Sequence, residues 1–231
     1  MNPTKAIARR AGVLYFLFMI VAIYGEFFFP TFTVSGDAAA TARNIAAAEL
    51  TYRIGILIGF ATHIIFIFLV VILYKLLKEV DKSHALLMVL LVSIGVAVAL
   101  ANMLNRFTPL LLLGGADYMS VFTKPQLDAL AFSSLRFRSS GAAVPMAFWG
   151  LWLFPFGILV MKSGFLPRIL GILLMVAGFA YLMSSITSIV LPEYRSVVSQ
   201  IMMPLYFGEV PIIFWLLIKG AKVQSLDDQS S

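Results

Sequence analysis

The chain contains no cysteine and only two histidines. The absence of cysteine excludes disulfides, thiolate metal sites and cysteine nucleophiles. The sequence has no HExxH zinc motif, no GxSxG nucleophile motif and no glycine pattern of the kind that binds phosphate. We therefore predict a protein that is not an enzyme and that uses no metal and no cofactor.

Charge is also scarce, since 12% of the 231 residues are charged and 61% are hydrophobic. Soluble domains are about a quarter charged and about half apolar. A lipid bilayer accommodates this apolar excess, so the bilayer is the predicted partner. The net charge of +6 could suggest nucleic-acid binding. Its basic residues are scattered between apolar blocks without a basic patch, so nucleic-acid binding is not predicted.

Six apolar runs are long enough to cross a hydrocarbon core, which takes about twenty helical residues. They predict an all-α fold, a polytopic membrane protein built as a six-transmembrane-helix bundle. We expect one membrane domain over residues 1–224, followed by a disordered tail at 225–231. The predicted spans are 11–29, 54–74, 85–104, 141–161, 169–191 and 201–218.

The distribution of lysine and arginine predicts the orientation. Six spans place both termini on the same side of the membrane. With the termini inside, the inner segments hold ten of the 17 basic residues, although the outer loops are longer. Because lysine and arginine favour the cytoplasmic side, we predict cytoplasmic N- and C-termini.

Each of the two long outer loops contains a predicted interfacial helix. In the first loop, Asp37 can cap the alanine-rich run 38–50. In the second, Thr123 and Gln126 have the spacing of a capping box. Each helix is expected to end at an arginine that enters the next span: Arg53 in the first case, Arg136 and Arg138 in the second.

Small residues predict where the second and third spans pack. Gly55, Gly59 and His63 lie on one face of the second span, and a similar face of the third span ends at Asn105. Small residues allow helices in lipid to approach closely. His63 should therefore face another helix. The stripes serve helix packing, or His63 and Asn105 line a cavity between the two spans.

Three charged residues are predicted at the outer ends of spans: Glu26, Arg53 and Arg106. One carboxylate beside two guanidiniums offsets the desolvation of all three. We expect an outer-leaflet charge cluster. It either fixes the order of the helices or forms a mouth that selects anions or polar head groups.

Glu209 is the most informative residue of the last span, because a carboxylate in an apolar run of membrane length often marks a functional site. Pro204 and Pro211 flank it, and each proline leaves one carbonyl without its helical partner. Broken helices of this kind build ion and substrate sites. Glu209 and His63 are predicted at a similar depth. The candidate binding site is Glu209, His63, Asn102 and Asn105; alternatively, a protonated Glu209 only bonds a neighbouring helix.

Several segments resemble a known family: RAGVLY at 10–15, Gly25-Glu26, SGFLPRILG at 163–171 and WLLIKG at 215–220. The chain is similar, over about residues 8–221, to the bacterial membrane-protein family catalogued as domain of unknown function 4386. SGFLPRILG is the most specific of these segments. The resemblance implies a six-span protein of the bacterial inner membrane. That family has no agreed activity, so the resemblance implies no mechanism.

Three functional hypotheses follow. The first is small-solute transport or sensing through the polar intramembrane site. The second is a non-catalytic partner or scaffold whose buried polar residues only specify helix packing. The third, an intramembrane lipid enzyme, is the weakest because the sequence shows no catalytic constellation.

Overall fold

Six helical segments long and apolar enough to cross a membrane dominate the computed structural model, which describes residues 3–221. The predicted all-helical six-span fold is therefore confirmed, and the described residues form no β-strand. The predicted tail at 225–231 lies outside the described residues. The spans are Thr4–Phe28, Glu49–Leu77, Lys82–Leu113, Lys124–Lys162, Arg168–Val190 and Pro192–Lys219.

Eleven α-helices build these spans and the outer loops within residues 3–221. The first three spans and their loops contain α1 Pro3–Ile23, α2 Ala38–Ala47, α3 Glu49–Leu77, α4 Lys82–Met103 and α5 Thr108–Leu113. The last three contain α6 Lys124–Gly141, α7 Ala143–Leu151, α8 Leu153–Lys162, α9 Arg168–Val190, α10 Arg195–Tyr206 and α11 Val210–Phe214. The first span ends in a π-helical turn, Tyr24–Phe28, and the last in another, Trp215–Lys219.

At one end of the bundle, the start of the first span lies beside the end of the sixth. The connection between α3 and α4 lies beside the end of the fourth span. Arg9 donates to the carbonyl of Ile218 (3.3 Å). Asp81 caps α4 by accepting from the backbone of His84 (3.1 Å), and it also accepts from Nζ of Lys162 (2.9 Å). The Lys162 ammonium holds the pKa of Asp81 well below its usual range. This contact joins the α3–α4 connection to the end of the fourth span.

The opposite end carries the two predicted outer helices, α2 and α6, which pack against each other. Asp37 caps α2 by accepting from the backbone of Ala40 (2.8 Å), and Thr123 with Gln126 forms the predicted capping box of α6. The helices end elsewhere than expected. α2 ends at Ala47, before Arg53, which lies within α3. α6 continues past Arg136 and Arg138 to Gly141, because no proline or glycine lies between 126 and 140 to break it.

The fourth and fifth spans approach most closely along four glycines. A Cβ atom on Gly157 would lie 2.7 Å from the carbonyl oxygen of Gly171, and one on Gly171 would lie 2.5 Å from that of Gly157. Gly150 and Gly178 face each other in the same way, at 2.7 and 2.8 Å. We call these four residues the glycine seam. It was not predicted from the sequence.

The predicted glycine stripe of the second span packs against side chains and not against the backbone of another helix. Gly59 faces the methyl end of Met103, and Gly55 faces the Phe29 ring and the Arg106 guanidinium. The second span therefore packs against bulky groups at this point, whereas the fourth and fifth spans bring their backbones together.

Candidate functional site

A cavity of about 430 Å³ lies between the first, fifth and sixth spans. Most of its lining is apolar or aromatic. The lining residues are Tyr15, Phe18, Met19, Ala22, Ile23, Phe27, Tyr181, Met203, Tyr206, Phe207, Glu209, Val210 and Ile213.

The cavity exists because the first and sixth spans touch at one end and separate toward the other. Gly12 lets the first span press against the backbone of Leu216 and Leu217. Farther along, the lining residues Phe27 and Phe207 are 68% and 60% exposed on the surface of the bundle. The cavity is therefore reached from the side of the bundle, at the level of the spans.

A break in the sixth span shapes the inner wall of the cavity. α10 ends at Tyr206, a 3₁₀ turn spans Phe207–Glu209, and α11 begins at Val210. Pro211 lacks the N–H that would bond the carbonyl of Phe207, which favours a departure from α-helical geometry here. Gly208 also allows this turn to pack on the backbone of the fifth span at Leu173. The interruption predicted between the two prolines is present at Glu209, beside Pro211, whereas α10 continues through Pro204.

Glu209 is held by tyrosines of two other spans. The hydroxyl of Tyr15, a residue only 1% exposed, donates to Oε2 of Glu209 at 2.5 Å. The hydroxyl of Tyr181, on the fifth span, faces the same carboxyl group. The Tyr181 ring stacks on Tyr206 at 4.5 Å, and the Tyr206 hydroxyl bonds Ser184 at 2.5 Å. The inner wall of the cavity therefore carries a small cluster of polar side chains, whereas the rest of the lining is mainly apolar.

The other predicted site residues lie elsewhere. Nδ1 of His63 is 2.6 Å from the carbonyl of Gly59, and its ring lies 6.0 Å from that of Trp149. Asn102 donates to the carbonyl of Arg138 (2.9 Å), and Asn105 donates to that of Asn102 (3.1 Å). The structure thus brings the two asparagines together.

Neither the asparagines nor His63 line the cavity of Glu209. Depth was predicted from position along each helix, but the direction of a side chain around the helix was not. His63 faces the fourth span, and the rings of Phe66 and Trp152 pack between it and Tyr15. The predicted four-residue site is therefore not formed as one cluster.

The predicted ion pairs among Glu26, Arg53 and Arg106 do not form either, although Glu26 is near enough to Arg106 for electrostatic attraction. Arg53 pairs with Glu49, one helical turn away on the same exposed face (2.7 Å). Arg106 turns inward, donates to the carbonyl of Gly55 (3.1 Å) and lies over the Tyr52 ring. Glu26 is exposed in the π-helical turn and makes no ion pair with a described residue. Glu49 is the nearer partner for Arg53, so the expected cluster is divided.

The two tyrosines that face Glu209 were missed in the sequence. Tyr15 stands in the RAGVLY segment, and Tyr181 stands in the middle of the fifth span. A mid-span tyrosine carries a hydroxyl that needs a partner when it is buried. That requirement was the available signal. Within residues 3–221, no group of three His, Asp or Glu side chains is placed to hold a metal ion.

These features define a six-span helical membrane protein with a lateral cavity and a carboxyl group on its inner wall. The chain belongs to the family described as Domain of unknown function (DUF4386), whose model matches residues 10–220. That match includes the cavity and most of each span. An uncharacterized protein of Archaeoglobus fulgidus is 28% identical over 164 residues, covering 68% of this chain and 94% of that protein. No solved structure matches the chain.

Proposed function

We propose that this protein binds a small, mainly apolar solute in the cavity between its first, fifth and sixth spans, and that it transports or senses that solute. The observation that carries the proposal is the carboxyl group of Glu209 on the wall of an otherwise apolar cavity. We propose a non-enzymatic role.

The dimensions and chemistry of the cavity support this function. Ligand pockets measure about 300–1,000 Å³ and combine an apolar lining with a few placed polar groups. The cavity of about 430 Å³ falls within this range, and Tyr15, Tyr181, Tyr206 and Glu209 supply the polar groups. The interrupted sixth span adds support, because broken helices build the substrate sites of many transporters.

The lateral opening favours a solute that partitions into the bilayer. A solute arriving from water would first have to pass the exposed apolar rings of Phe27 and Phe207. For a solute dissolved in lipid, these rings are a compatible entrance. Glu209 then provides the polar contact that distinguishes the bound solute from a lipid chain.

Photolabelling tests the cavity directly. We expect an apolar benzyl alcohol bearing a trifluoromethyl-phenyl-diazirine to label Met203, Tyr206 and Phe27 above the level of other lipid-facing residues. The substitution Ala22→Phe fills part of the cavity and should reduce that labelling at least about fivefold, since overfilling a packed site excludes a guest. Adducts are mapped by mass spectrometry on protein in lipid nanodiscs.

The matched control is Ala61→Phe, which adds the same ring at an exposed position of the second span outside the cavity. This control should leave the labelling pattern unchanged. Equal labelling of all lipid-facing residues, insensitive to Ala22→Phe, would contradict a ligand cavity.

The scaffold alternative is favoured by one observation, namely that Glu209 links the sixth span to tyrosines of the first and fifth. If the carboxyl group serves packing alone, Glu209→Gln should lower the yield of folded protein, and Ala22→Phe should leave every solute-dependent activity unchanged. A folded Glu209→Gln protein that has lost solute binding supports the transport or sensing function instead.

We further propose that the protein resides in a bacterial plasma membrane with both termini in the cytoplasm. The excess of basic residues on the inner segments supports this orientation. A fluorescent-protein fusion at Ser231 should fluoresce, and an alkaline phosphatase fusion there should be inactive. A truncated phosphatase fusion at Gly115, in the loop between α5 and α6, should be active. The reverse pattern would overturn the orientation.

A further inference from the structure

The lining of the cavity contains an acidic group but no basic group. Glu209 is the one carboxyl group of the lining, and the lining contains no lysine, arginine or histidine. No described basic side chain lies within ion-pair distance of Glu209. The titratable groups that face it are the hydroxyls of Tyr15 from the first span and Tyr181 from the fifth. A carboxylate at this position has hydrogen-bond donors but no counter-charge.

Aromatic rings supply the rest of the wall. Six of the lining side chains are aromatic: Tyr15, Phe18, Phe27, Tyr181, Tyr206 and Phe207. The faces of such rings attract cations, and the attraction grows when water is excluded. A charge inside a membrane is costly unless it is paired. A cation with an apolar exterior would pair with Glu209, contact the rings and enter through the bilayer.

We propose that the solute is a lipophilic monovalent cation, bound against Glu209 in exchange for the proton of that carboxyl group. This inference rests on the proposed function, because it names the chemical class of the solute for the same cavity. When the cation binds, the O–H bond of Glu209 breaks and the proton passes to water. One positive charge replaces another, so the cavity keeps its net charge. Tyr15 continues to donate to the carboxylate, and the hydroxyl of Tyr181 continues to face it.

A pair of ions of equal shape and opposite charge tests the inference. Protein in nanodiscs of zwitterionic lipid is titrated with tetraphenylphosphonium and, separately, with tetraphenylborate, and empty nanodiscs provide the background. We expect saturable binding of tetraphenylphosphonium to the protein and no saturable binding of tetraphenylborate. In weakly buffered solution, about one proton should be released per cation bound, and the affinity should rise with pH.

Substitutions locate the binding site. Glu209→Gln removes the exchangeable proton and should weaken tetraphenylphosphonium binding about tenfold or more, because the bound cation loses its counter-charge in a site shielded from water. Proton release should also disappear. Glu193→Gln neutralises an exposed carboxyl group at the start of the same span and should change neither quantity. Ala22→Phe, which retains Glu209, should also block binding, so the test does not depend on how Glu209→Gln folds.

The outcomes separate this inference from the proposed function. Equal binding of tetraphenylborate, or cation binding without proton release, would overturn the cation-exchange inference. Absence of tetraphenylphosphonium binding while the diazirine alcohol still labels the cavity would overturn it too, and would leave the proposed function standing. Failure of both ligands to reach the cavity would overturn both.

Discussion

Replacing Gly157 with leucine is expected to prevent the fourth and fifth spans from assembling, with little or no folded protein recovered. Even alanine is too large, because its Cβ would lie 2.7 Å from the carbonyl oxygen of Gly171. The obstacle is backbone, so whole helices must move. Overpacking a close-packed interior destabilises proteins by about 1–3 kcal/mol, and we expect Gly157→Ala to fall in that range. Thermal unfolding and size-exclusion chromatography of purified variants measure the effect.

Gly59→Ala is the matched control. It makes the same chemical change inside a membrane helix, but its Cβ would meet the flexible end of Met103 at 3.3 Å. The Met103 side chain can move, since methionine adapts to irregular gaps. We therefore expect Gly59→Ala to be close to wild type. If Gly157→Ala proved no less stable than Gly59→Ala, the glycine seam would not hold the bundle together.

The contrast between these two glycines illustrates what the sequence could predict. Span number followed directly from apolar length, and Asp37 and Thr123 marked helix starts correctly because caps satisfy local backbone groups. Gly55 and Gly59 stood out because GxxxG is a familiar packing motif. The glycine seam repeats after seven residues within each span, 150 to 157 and 171 to 178. Its significance appears only when two separate helices are aligned.

The candidate site was predicted in part. Glu209 was identified because a carboxylate is rare in an apolar span, and its helix break followed from Pro211. The partners of Glu209 were not predicted. The sequence indicated only the depth of each residue, whereas helix packing decides which residues at that depth become neighbours. His63 lies at a similar predicted level but faces Trp149. Tyr15 is distant in sequence, and only the packing of the first span against the sixth brings its hydroxyl to the carboxyl group.

The second large effect is expected from the pair Tyr15 and Glu209. Glu209→Met keeps the side-chain length but removes both oxygens, and it leaves the buried hydroxyl of Tyr15 without its acceptor. An unsatisfied buried polar group costs about 1–3 kcal/mol. Tyr15→Phe removes the donor instead. The double variant should be little worse than either single variant, because each single change already loses the shared hydrogen bond.

A double-mutant cycle measures the coupling energy between Tyr15 and Glu209. Hydrogen bonds between membrane helices average about 0.6 kcal/mol in such cycles and reach about 1.7 kcal/mol. We expect a coupling of about 1–1.7 kcal/mol, near the upper end, because the 2.5 Å bond is shielded from water. Reversible unfolding in mixed lipid–detergent micelles provides the four stabilities.

Tyr52→Phe is the control for this cycle, because the Tyr52 hydroxyl, on the second span and outside the cavity, donates to the carbonyl of Arg106 (2.9 Å) and not to Glu209. Its effect should add to that of Glu209→Met within about 0.5 kcal/mol. A Tyr15–Glu209 coupling no larger than this control would contradict the bond. A strong coupling has a consequence for function, since a carboxyl group fixed by Tyr15 is already oriented when its proton is exchanged for a cation. The same hydrogen bond would then serve both packing and solute binding.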